Sequence, residues 1–416
     1  MSRLRRAALF LGLRRSIVGM LSIVILVGMG ERMAERYLPI YLLALGAGDL
    51  AIGVLGGLQN LLGALYSFPG GYLADRIGVK RSLFVFNLIA ITGFLLVVLI
   101  PVWQAVIFGA FFFLAWSAVS LPATMSLIAN VLPRTQRTMG VSMHSLVRRI
   151  PMALGPLIGG AFIGIWGERD GVRYAFVAGA FMGVVAIILQ QWLIHEDRPA
   201  GVTRDTVDRL EKNPLRMLKA MGSPLRSLLV ADTLIRFCEQ IPYSFVVVWA
   251  MQKGLHYFAP VTAFQFGVLT TIEMATAVLV YVPVAYLADR SAKKPFVVMT
   301  FVFFTIFPLV LFFSRSFAML AVAFIVRGMK EFGEPTRKAL IVDLSPEGKQ
   351  AATFGTYYLT RDTIVSLAAF GGAFLWQIGP KTNLMTAFAC GVIGTIWFAL
   401  KGQSPTGAEP NAAQSP

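Results

Sequence analysis

The chain has 416 residues, of which 56% are hydrophobic and only 14% are charged. A soluble globular domain carries roughly 25% charged residues, so this composition excludes a soluble protein and indicates one that lies in a bilayer. The formal net charge of +16 would suit a nucleic-acid binder, but in a membrane protein lysines and arginines primarily indicate orientation. We therefore expect membrane lipid, and no nucleic acid, as a partner.

Long apolar runs follow one another along the chain, and each is long enough to cross a hydrocarbon core about 30 Å thick. We predict twelve helices, over residues 16–45, 50–74, 82–101, 105–132, 140–166, 174–194, 225–251, 261–288, 295–313, 317–344, 354–378 and 384–400. The first is interpreted as an uncleaved helix because no clear signal-peptide cleavage site follows it.

The polar stretches divide the helices into two sets. We predict a six-helix bundle at 1–194, a cytoplasmic linker at 195–224, a second six-helix bundle at 225–401 and a disordered tail at 402–416, which is rich in Pro, Ala and Ser. With the N-terminus inside, 22 of the 37 lysines and arginines lie in the termini and loops of that side, and 5 lie in the loops of the other. This asymmetry predicts that both termini are cytoplasmic.

Three short motifs recur in the same order in both halves. YLADR stands at 72–76 and 286–290, PATMSLIANVLP at 122–133 echoes PTRKALIVDLSP at 335–346, and GGAF stands at 159–162 and 371–374. Such parallel repeats indicate a duplicated six-helix unit, which is one way to build a carrier around a site at the membrane midplane.

The sequence GYLADRIGVKRSL, which begins at Gly71, resembles the cytoplasmic loop signature of the major facilitator superfamily. The resemblance implies an all-α membrane protein of two pseudo-symmetric six-helix bundles. It also implies a gating role for Gly71, Asp75, Arg76, Gly78, Lys80 and Arg81. The second copy has alanines in place of both glycines but keeps Asp289, Arg290 and Lys294. Asp343, at the end of the tenth helix, is predicted to pair with Arg290.

The fifth helix carries Gly155, Pro156, Gly159 and Gly160, which resemble the glycine-proline signature of proton-coupled drug exporters in this superfamily. Pro151 stands where that pattern has another glycine, which weakens the match. The alternative interpretation is that these small residues only permit close helix packing.

Charged residues inside the predicted helices mark a polar interior, because each costs at least ~2.5 kcal/mol to insert. The third, sixth, ninth and twelfth helices contain none, whereas the tenth contains Lys330, Arg337 and Lys338 besides its candidate residues. The predicted substrate or proton site comprises Glu31, Arg32, Glu35, Arg36, Arg148, Arg149, Asp232, Arg236, Glu239, Glu273, Arg327, Glu331, Glu334, Arg361 and Asp362. The alternative is that these charges only pair with one another.

Glu31 is the preferred candidate for a proton carrier, because it is a carboxylate near the membrane midplane with glycines beside it. The sequence contains no phosphate-binding loop, metal-ligand cluster or catalytic triad pattern. We therefore predict a transporter without cofactor, not an enzyme, that draws energy from the proton gradient.

The predicted function is proton-coupled export of a small organic or amphipathic molecule by a monomer, through alternating access, in the inner membrane of a bacterium. Two alternatives stay open. One is proton-coupled uptake of an organic anion, which Arg148, Arg149 and Arg361 would suit. The other is a receptor or scaffold that has the fold but does not transport.

Overall fold

The computed structural model describes residues 15–114, 116, 124, 127–128, 131, 137–194, 218, 221–288, 293–346 and 350–403, and all of its regular elements there are helices. The first half contains α1 (Arg15–Glu35), α2 (Leu38–Ala44), α3 (Asp49–Ile77), α4 (Val79–Leu99), α5 (Trp103–Phe113) and α6 (Arg137–Leu193). The second half contains α7 (Ser223–Tyr243), α8 (Val246–Ala250), α9 (Ala263–Ala288), α10 (Lys293–Phe313), α11 (Phe317–Gly328), a 3₁₀ turn (Met329–Glu331), α12 (Glu334–Asp343), α13 (Gln350–Ile378) and α14 (Pro380–Lys401).

Seven helical stretches within the described ranges are long and apolar enough to cross a membrane. One of them, His144–Leu193, has 50 residues, and a non-helical residue at Gly167 interrupts it. Helices α7 and α13 are not among the seven, although each has at least 21 residues. Helix α7 carries Arg226, Asp232, Arg236 and Glu239, and α13 carries Arg361 and Asp362, so neither contains a stretch as apolar as those seven. The all-helical membrane fold is as predicted, and the count of twelve helices stays a prediction.

Three helices that we predicted as continuous are divided in the structure, and a proline explains the break in two of them. The first predicted helix is divided into α1 and α2, and the tenth is divided into α11, the 3₁₀ turn and α12. Pro39 and Pro335 lie in the first turns of α2 and α12, where a missing N–H costs nothing. At the second break, the backbone N–H of Gly333 donates to Thr300 Oγ1 at 2.5 Å, so this buried donor is satisfied. The seventh predicted helix is also divided, into α7 and α8.

The predicted loop between the fifth and sixth helices is also wrong in its length. We expected it to span 167–173, but only Gly167 leaves the helical conformation, with φ 78° and ψ 176°. A residue without Cβ adopts this positive φ without strain. One glycine therefore replaces a seven-residue loop, and residues 168–173 are helical.

The chain divides into two compact units, Met1–Val207 with Ser244–Thr271, and Asp208–Tyr243 with Ile272–Pro416. In the first unit α1 packs along α6, and glycines permit the close approach. A Cβ added at Gly30 would lie 2.6 Å from the Cα of Gly179. Tyr37 fixes the end of α1, because its hydroxyl lies 2.7 Å from the carbonyl oxygens of both Pro156 and Ala263.

In the second unit α7 packs against α13 and α14, and α14 also packs against α10. The core contains Leu225, Leu228, Ile235, Phe301 and Phe398, all of which are fully buried. This apolar packing holds α7 beside α10, α12 and α13, and so positions the charged side chains that α7 carries.

Candidate functional site

A chain of buried ion pairs runs through the second unit, and its central members lie on α7. Asp232, Arg236 and Glu239 follow the spacing i, i+4 and i+7, so they share one face of the helix. The Arg236 guanidinium lies 2.7 Å from Glu239 and 3.9 Å from Asp232. The three candidate residues of the seventh predicted helix therefore share one face, and they pair with one another.

Arg337 of α12 closes these pairs into a ring. Its guanidinium donates to the two carboxylate oxygens of Glu334 at 2.6 and 3.0 Å and also pairs with Asp232. Arg236 approaches Glu334 at 3.4 Å. Asp232, Arg236, Glu334 and Arg337 thus alternate in charge around a closed ring between α7 and α12. The Arg337 side chain is 1% exposed, so water screens this ring little.

Helix α13 extends the ring on its Asp232 side. Arg361 lies 3.0 Å from Asp232 and 2.7 Å from its own neighbour Asp362. The Tyr357 hydroxyl donates to the same Asp232 oxygen at 3.0 Å. The Oδ2 atom of Asp232 therefore accepts from two arginines and a tyrosine, and these bonds offset part of the cost of burying the carboxylate.

Lys330 extends the chain in the other direction, toward α9 and α11. Its ammonium lies 2.9 Å from Glu239 and 3.4 Å from Glu273. Arg327 of α11 lies 3.3 Å from the same Glu273. The ion pairs thus run without interruption from Glu273, through Lys330 and Glu239, to the ring and to α13.

Among the described residues, the chain of ion pairs contains five acids and five bases, apart from Lys338, which contacts Glu334 from an exposed position. Its acids are Asp232, Glu239, Glu273, Glu334 and Asp362, and its bases are Arg236, Arg327, Lys330, Arg337 and Arg361. Burying one unpaired charge is strongly unfavourable, whereas a balanced and hydrogen-bonded set offsets much of that cost. The interpretation that these charges pair with one another therefore accounts for most of the candidate residues of the second half.

The first unit has a smaller polar cluster on α1. Glu35 lies 2.5 Å from Arg32 and accepts a hydrogen bond from Gln59 of α3. Glu31, one turn earlier, is 5% exposed. Arg148 of α6 interacts electrostatically with Glu31 and Glu35, so α1 and α6 bring together candidates that are over a hundred residues apart in sequence.

The candidates of the first unit are unbalanced in charge, unlike those of the second. Two glutamates stand against four arginines, which are Arg32, Arg36, Arg148 and Arg149. Arg148 interacts electrostatically with both Arg32 and Arg149. Among these candidates, the positive charges therefore outnumber the negative ones by two.

Glu31 and Glu239 occupy equivalent places in the two repeats. Each lies six residues before the residue that caps the short following helix, Tyr37 before α2 and Phe245 before α8. Glu239 is bound by Arg236 and Lys330, whereas Glu31 has Arg148 of α6 among its electrostatic neighbours. The same position is thus part of a balanced chain in one repeat and of a cluster with more arginines than glutamates in the other.

The glycines of the fifth-helix motif face α1 and the start of α9. A Cβ at Gly155 would lie 2.6 Å from Arg32 Cβ, and one at Gly159 would overlap the Met33 carbonyl. A Cβ at Gly160 would overlap the Ala263 carbonyl oxygen. Close helix packing therefore explains the three glycines, in agreement with the alternative that these small residues only permit helices to approach closely.

The loop motifs are described only in part. Gly78 has φ 89° and separates α3 from α4, a conformation that glycine adopts without strain. Lys80 donates to the Gln191 carbonyl at 3.1 Å, and Arg81 is exposed. Asp343 pairs with Lys293 at 2.5 Å, and Lys294 is half-buried at the start of α10.

Several predicted features fall outside the described residues. These are Asp289, Arg290, the surroundings of Gly71, the side chains of Asp75 and Arg76, most of the linker and the tail from residue 404 onward. The pairing of Asp343 with Arg290 and the gating roles of these residues stay predictions.

Sequence reasoning missed several partners of the candidate residues. Arg337 and Lys330 were counted as charges of the tenth helix but were not assigned to the site, although they link α7 to α12 and α9. Their signal was present, because a buried acid needs a base within reach. Neutral partners gave no such signal. Among them are Tyr37, Gln59 and Tyr357. The rings of Tyr243, Phe307 and Phe324, whose centres lie 5.0 to 5.8 Å from the Arg327 guanidinium, are also among them.

The fold and the buried charges define a multi-pass membrane protein with a polar interior. The model of the Major Facilitator Superfamily matches residues 20–261 and 228–416. The chain therefore belongs to the major facilitator superfamily and is a membrane transporter.

Three other proteins are similar to this chain in sequence. An uncharacterized MFS-type transporter of Methanocaldococcus jannaschii is 21% identical over 88% of this chain and 90% of its own length. The inner membrane transport protein YajR of Escherichia coli is 24% identical over 55% of this chain and 51% of its own. The staphylopine export protein of Staphylococcus aureus is 29% identical over 41% of each chain.

Solved structures share the fold at lower identity. A mutant of the nucleoside transporter NupG superimposes with a TM-score of 0.77 at 13% identity, covering 94% of this chain and all of that one. A POT family transporter in complex with 5-aminolevulinic acid gives a TM-score of 0.72 at 12% identity, covering 91% and 94%. A bacterial homolog of the human lysosomal transporter Spinster gives 0.68 at 16% identity, covering 98% and 100%.

Proposed function

We propose that this transporter exports a small organic or amphipathic molecule in exchange for protons, working by alternating access as a monomer in the inner membrane of a bacterium, with both termini cytoplasmic. The observation that carries the proposal is Glu31, a buried carboxylate on a membrane helix with Arg148 within electrostatic range. An embedded carboxylate can take up and release a proton as its surroundings change. The energy then comes from the proton gradient, without a cofactor.

Two resemblances support export over uptake. The staphylopine export protein is similar to this chain over part of its length, and the fifth helix carries the glycine-proline motif typical of proton-coupled drug exporters. Since close packing also explains those glycines, the sequence similarity is the stronger of the two.

The second candidate function is proton-coupled uptake of an organic anion. The excess of arginines among the candidates of the first unit favours it, because a guanidinium binds a carboxylate through two parallel hydrogen bonds. An anion held there would balance the cluster, as the acids of the second unit balance its bases.

Everted membrane vesicles that report their internal pH test the proposal. Lipophilic cations, neutral amphipaths and organic anions are added in turn to respiring, acid-loaded vesicles. Export by antiport predicts that one class causes proton efflux with the native protein. Efflux should be lost with Glu31→Gln and kept with Asp170→Asn, which changes a carboxylate that is 57% exposed.

Right-side-out vesicles distinguish the second candidate. Uptake by symport predicts that an organic anion added outside makes the medium more alkaline, while everted vesicles show no efflux. If neither preparation responds to any class, the proposal of proton-coupled transport is wrong.

A further inference from the structure

A cavity of about 470 Å³ lies at the membrane end shared by α7 and α14. Arg226 and Lys401 line it from the two helices, and Ser223 and Ser227 add hydroxyl groups from the first two turns of α7. None of the described residues that line it is acidic. The cavity therefore has a concentrated positive charge with hydrogen-bond donors beside it.

The basic groups of the cavity are held in place by neighbouring groups. The Arg226 Nε donates to the Met221 carbonyl at 2.7 Å, which fixes the guanidinium near the start of the helix. The Lys401 ammonium lies 4.1 Å from the centre of the Trp397 ring, and the Trp397 indole donates to Ser227 at 3.2 Å. These contacts bring the two cations to one cavity.

Helix α7 adds to the positive potential. It has 21 residues, and its first residue, Ser223, lines the cavity. The N-terminus of a helix carries a partial positive charge and unsatisfied N–H groups, which favour an anion. The partial charge of the helix end adds to the full charges of Arg226 and Lys401, which are the larger contribution to the positive potential of the cavity.

Exposed apolar side chains adjoin the cavity. Val230 and Leu400 line it and are exposed, Leu400 by 78%. Ile393 and Ile396 are exposed as well, and their spacing places them on the same face of α14 as Leu400. Trp397 is a residue type that concentrates at the level of the lipid headgroups. An occupant of the cavity would thus have its polar end at the cations and its apolar part along α14.

We propose that this cavity binds the phosphate of an anionic phospholipid, with the acyl chains along the exposed face of α14. Basic pockets at the ends of membrane helices suit such headgroups. The site is independent of the transport proposal and requires only that the chain spans a membrane. In the proposed orientation it lies in the cytoplasmic leaflet, and it would fix the start of α7 next to the linker.

Native mass spectrometry of the full-length protein in detergent tests this site. Phosphatidylglycerol is titrated against phosphatidylcholine, and the double variant Arg226→Gln/Lys401→Gln is compared with the native protein. About 30-fold weaker phosphatidylglycerol binding is expected for the variant, from the attraction of two basic residues to an anionic lipid. The native protein should prefer phosphatidylglycerol by a similar factor.

The matched control is Arg315→Gln/Lys381→Gln, which also removes two positive charges. Lys381 lies at the opposite end of α14, and Arg315 precedes α11. This control should change the affinity by less than about threefold, because surface charges away from the site act weakly. If the Gln variant does not fold, Arg226→Lys/Lys401→Arg keeps both charges and should retain at least a third of the affinity. Loss of binding in that folded variant would overturn the role of charge at this site.

The remaining outcomes decide between a lipid and a soluble anion. Unchanged phosphatidylglycerol binding in the Gln variant, or equal binding of the two lipids to the native protein, would overturn the proposal. Inorganic phosphate at millimolar concentration should leave the bound lipid in place. Displacement by phosphate would mean that the cavity holds a soluble phosphate rather than a phospholipid.

Discussion

Replacing Arg337 by Gln should strongly destabilise the second unit. Arg337 pairs with both Asp232 and Glu334 and is 1% exposed, so its removal leaves two buried carboxylates with one cation fewer. Removing one partner of a buried pair costs about 3–5 kcal/mol. For a unit of this size, each kcal/mol lowers the unfolding temperature by about 2–4 °C, so the expected decrease is about 6–20 °C.

The matched control is the next residue, Lys338→Gln. Lys338 contacts the same Glu334, at 3.5 Å, but its side chain is 49% exposed. An exposed pair contributes about 0–1 kcal/mol, so the unfolding temperature should fall by less than about 4 °C. Thermal unfolding in detergent is measured as the loss of monodisperse protein after heating.

A double variant tests whether pairing is the cause. Arg337→Gln/Glu334→Gln removes one base and one acid and leaves Asp232 with Arg236 and Arg361. Its destabilisation should be smaller than the sum of the two single effects by at least about 1 kcal/mol, as for directly interacting residues. An additive result, or an Arg337→Gln variant as stable as Lys338→Gln, would refute the account of the charge ring.

Two further pairs of substitutions test the packing of the first unit in the same thermal assay. Gly159→Ala should destabilise by about 1–3 kcal/mol, because the added methyl overlaps the α1 backbone. Gly164→Ala, with nothing within 4 Å of the new Cβ, should be neutral or stabilising by up to about 1 kcal/mol, and equal effects would contradict the packing role. Tyr37→Phe loses the contacts with two carbonyl oxygens and should cost about 1–3 kcal/mol. Tyr41→Phe should cost little, since the described residues offer the Tyr41 hydroxyl no partner, and a cost equal to that of Tyr37→Phe would show that the bonds of Tyr37 add nothing.

The fold was largely predictable because bilayer thickness requires long apolar runs and the motifs repeat at a nearly constant offset. The pattern of apolar residues does not show where a helix is interrupted locally. Pro39 and Pro335 were visible signals for the divisions of the first and tenth helices, but both lie inside runs that otherwise satisfy the length criterion. At Gly167 the signal in the sequence is misleading. One glycine is enough to interrupt the helix there, but the charged residues that follow it are typical of a loop, so the prediction was a loop that is too long.

The candidate site was predictable in its composition but not in its pairing. The stripe of Asp232, Arg236 and Glu239 follows from helix geometry within one element. In a continuous tenth helix, Arg327, Glu331 and Glu334 would lie on one face in the same way. The 3₁₀ turn and the break at Gly333 change this register, and Lys330, which this spacing does not select, pairs with Glu239 and Glu273. Pairing between helices depends on their packing, which no local spacing determines.

The most direct test of the central claim, that Glu31 carries the coupled proton, compares exchange with net transport in proteoliposomes. Once the vesicle assay has identified a substrate, Glu31→Gln should still exchange labelled for unlabelled substrate across the membrane, because exchange requires no net proton movement. It should lose accumulation driven by a pH gradient, while Asp170→Asn keeps both activities. A Glu31→Gln variant that still accumulates substrate against its gradient, or one that is folded but loses exchange as well, would contradict the assignment of Glu31 as the proton carrier.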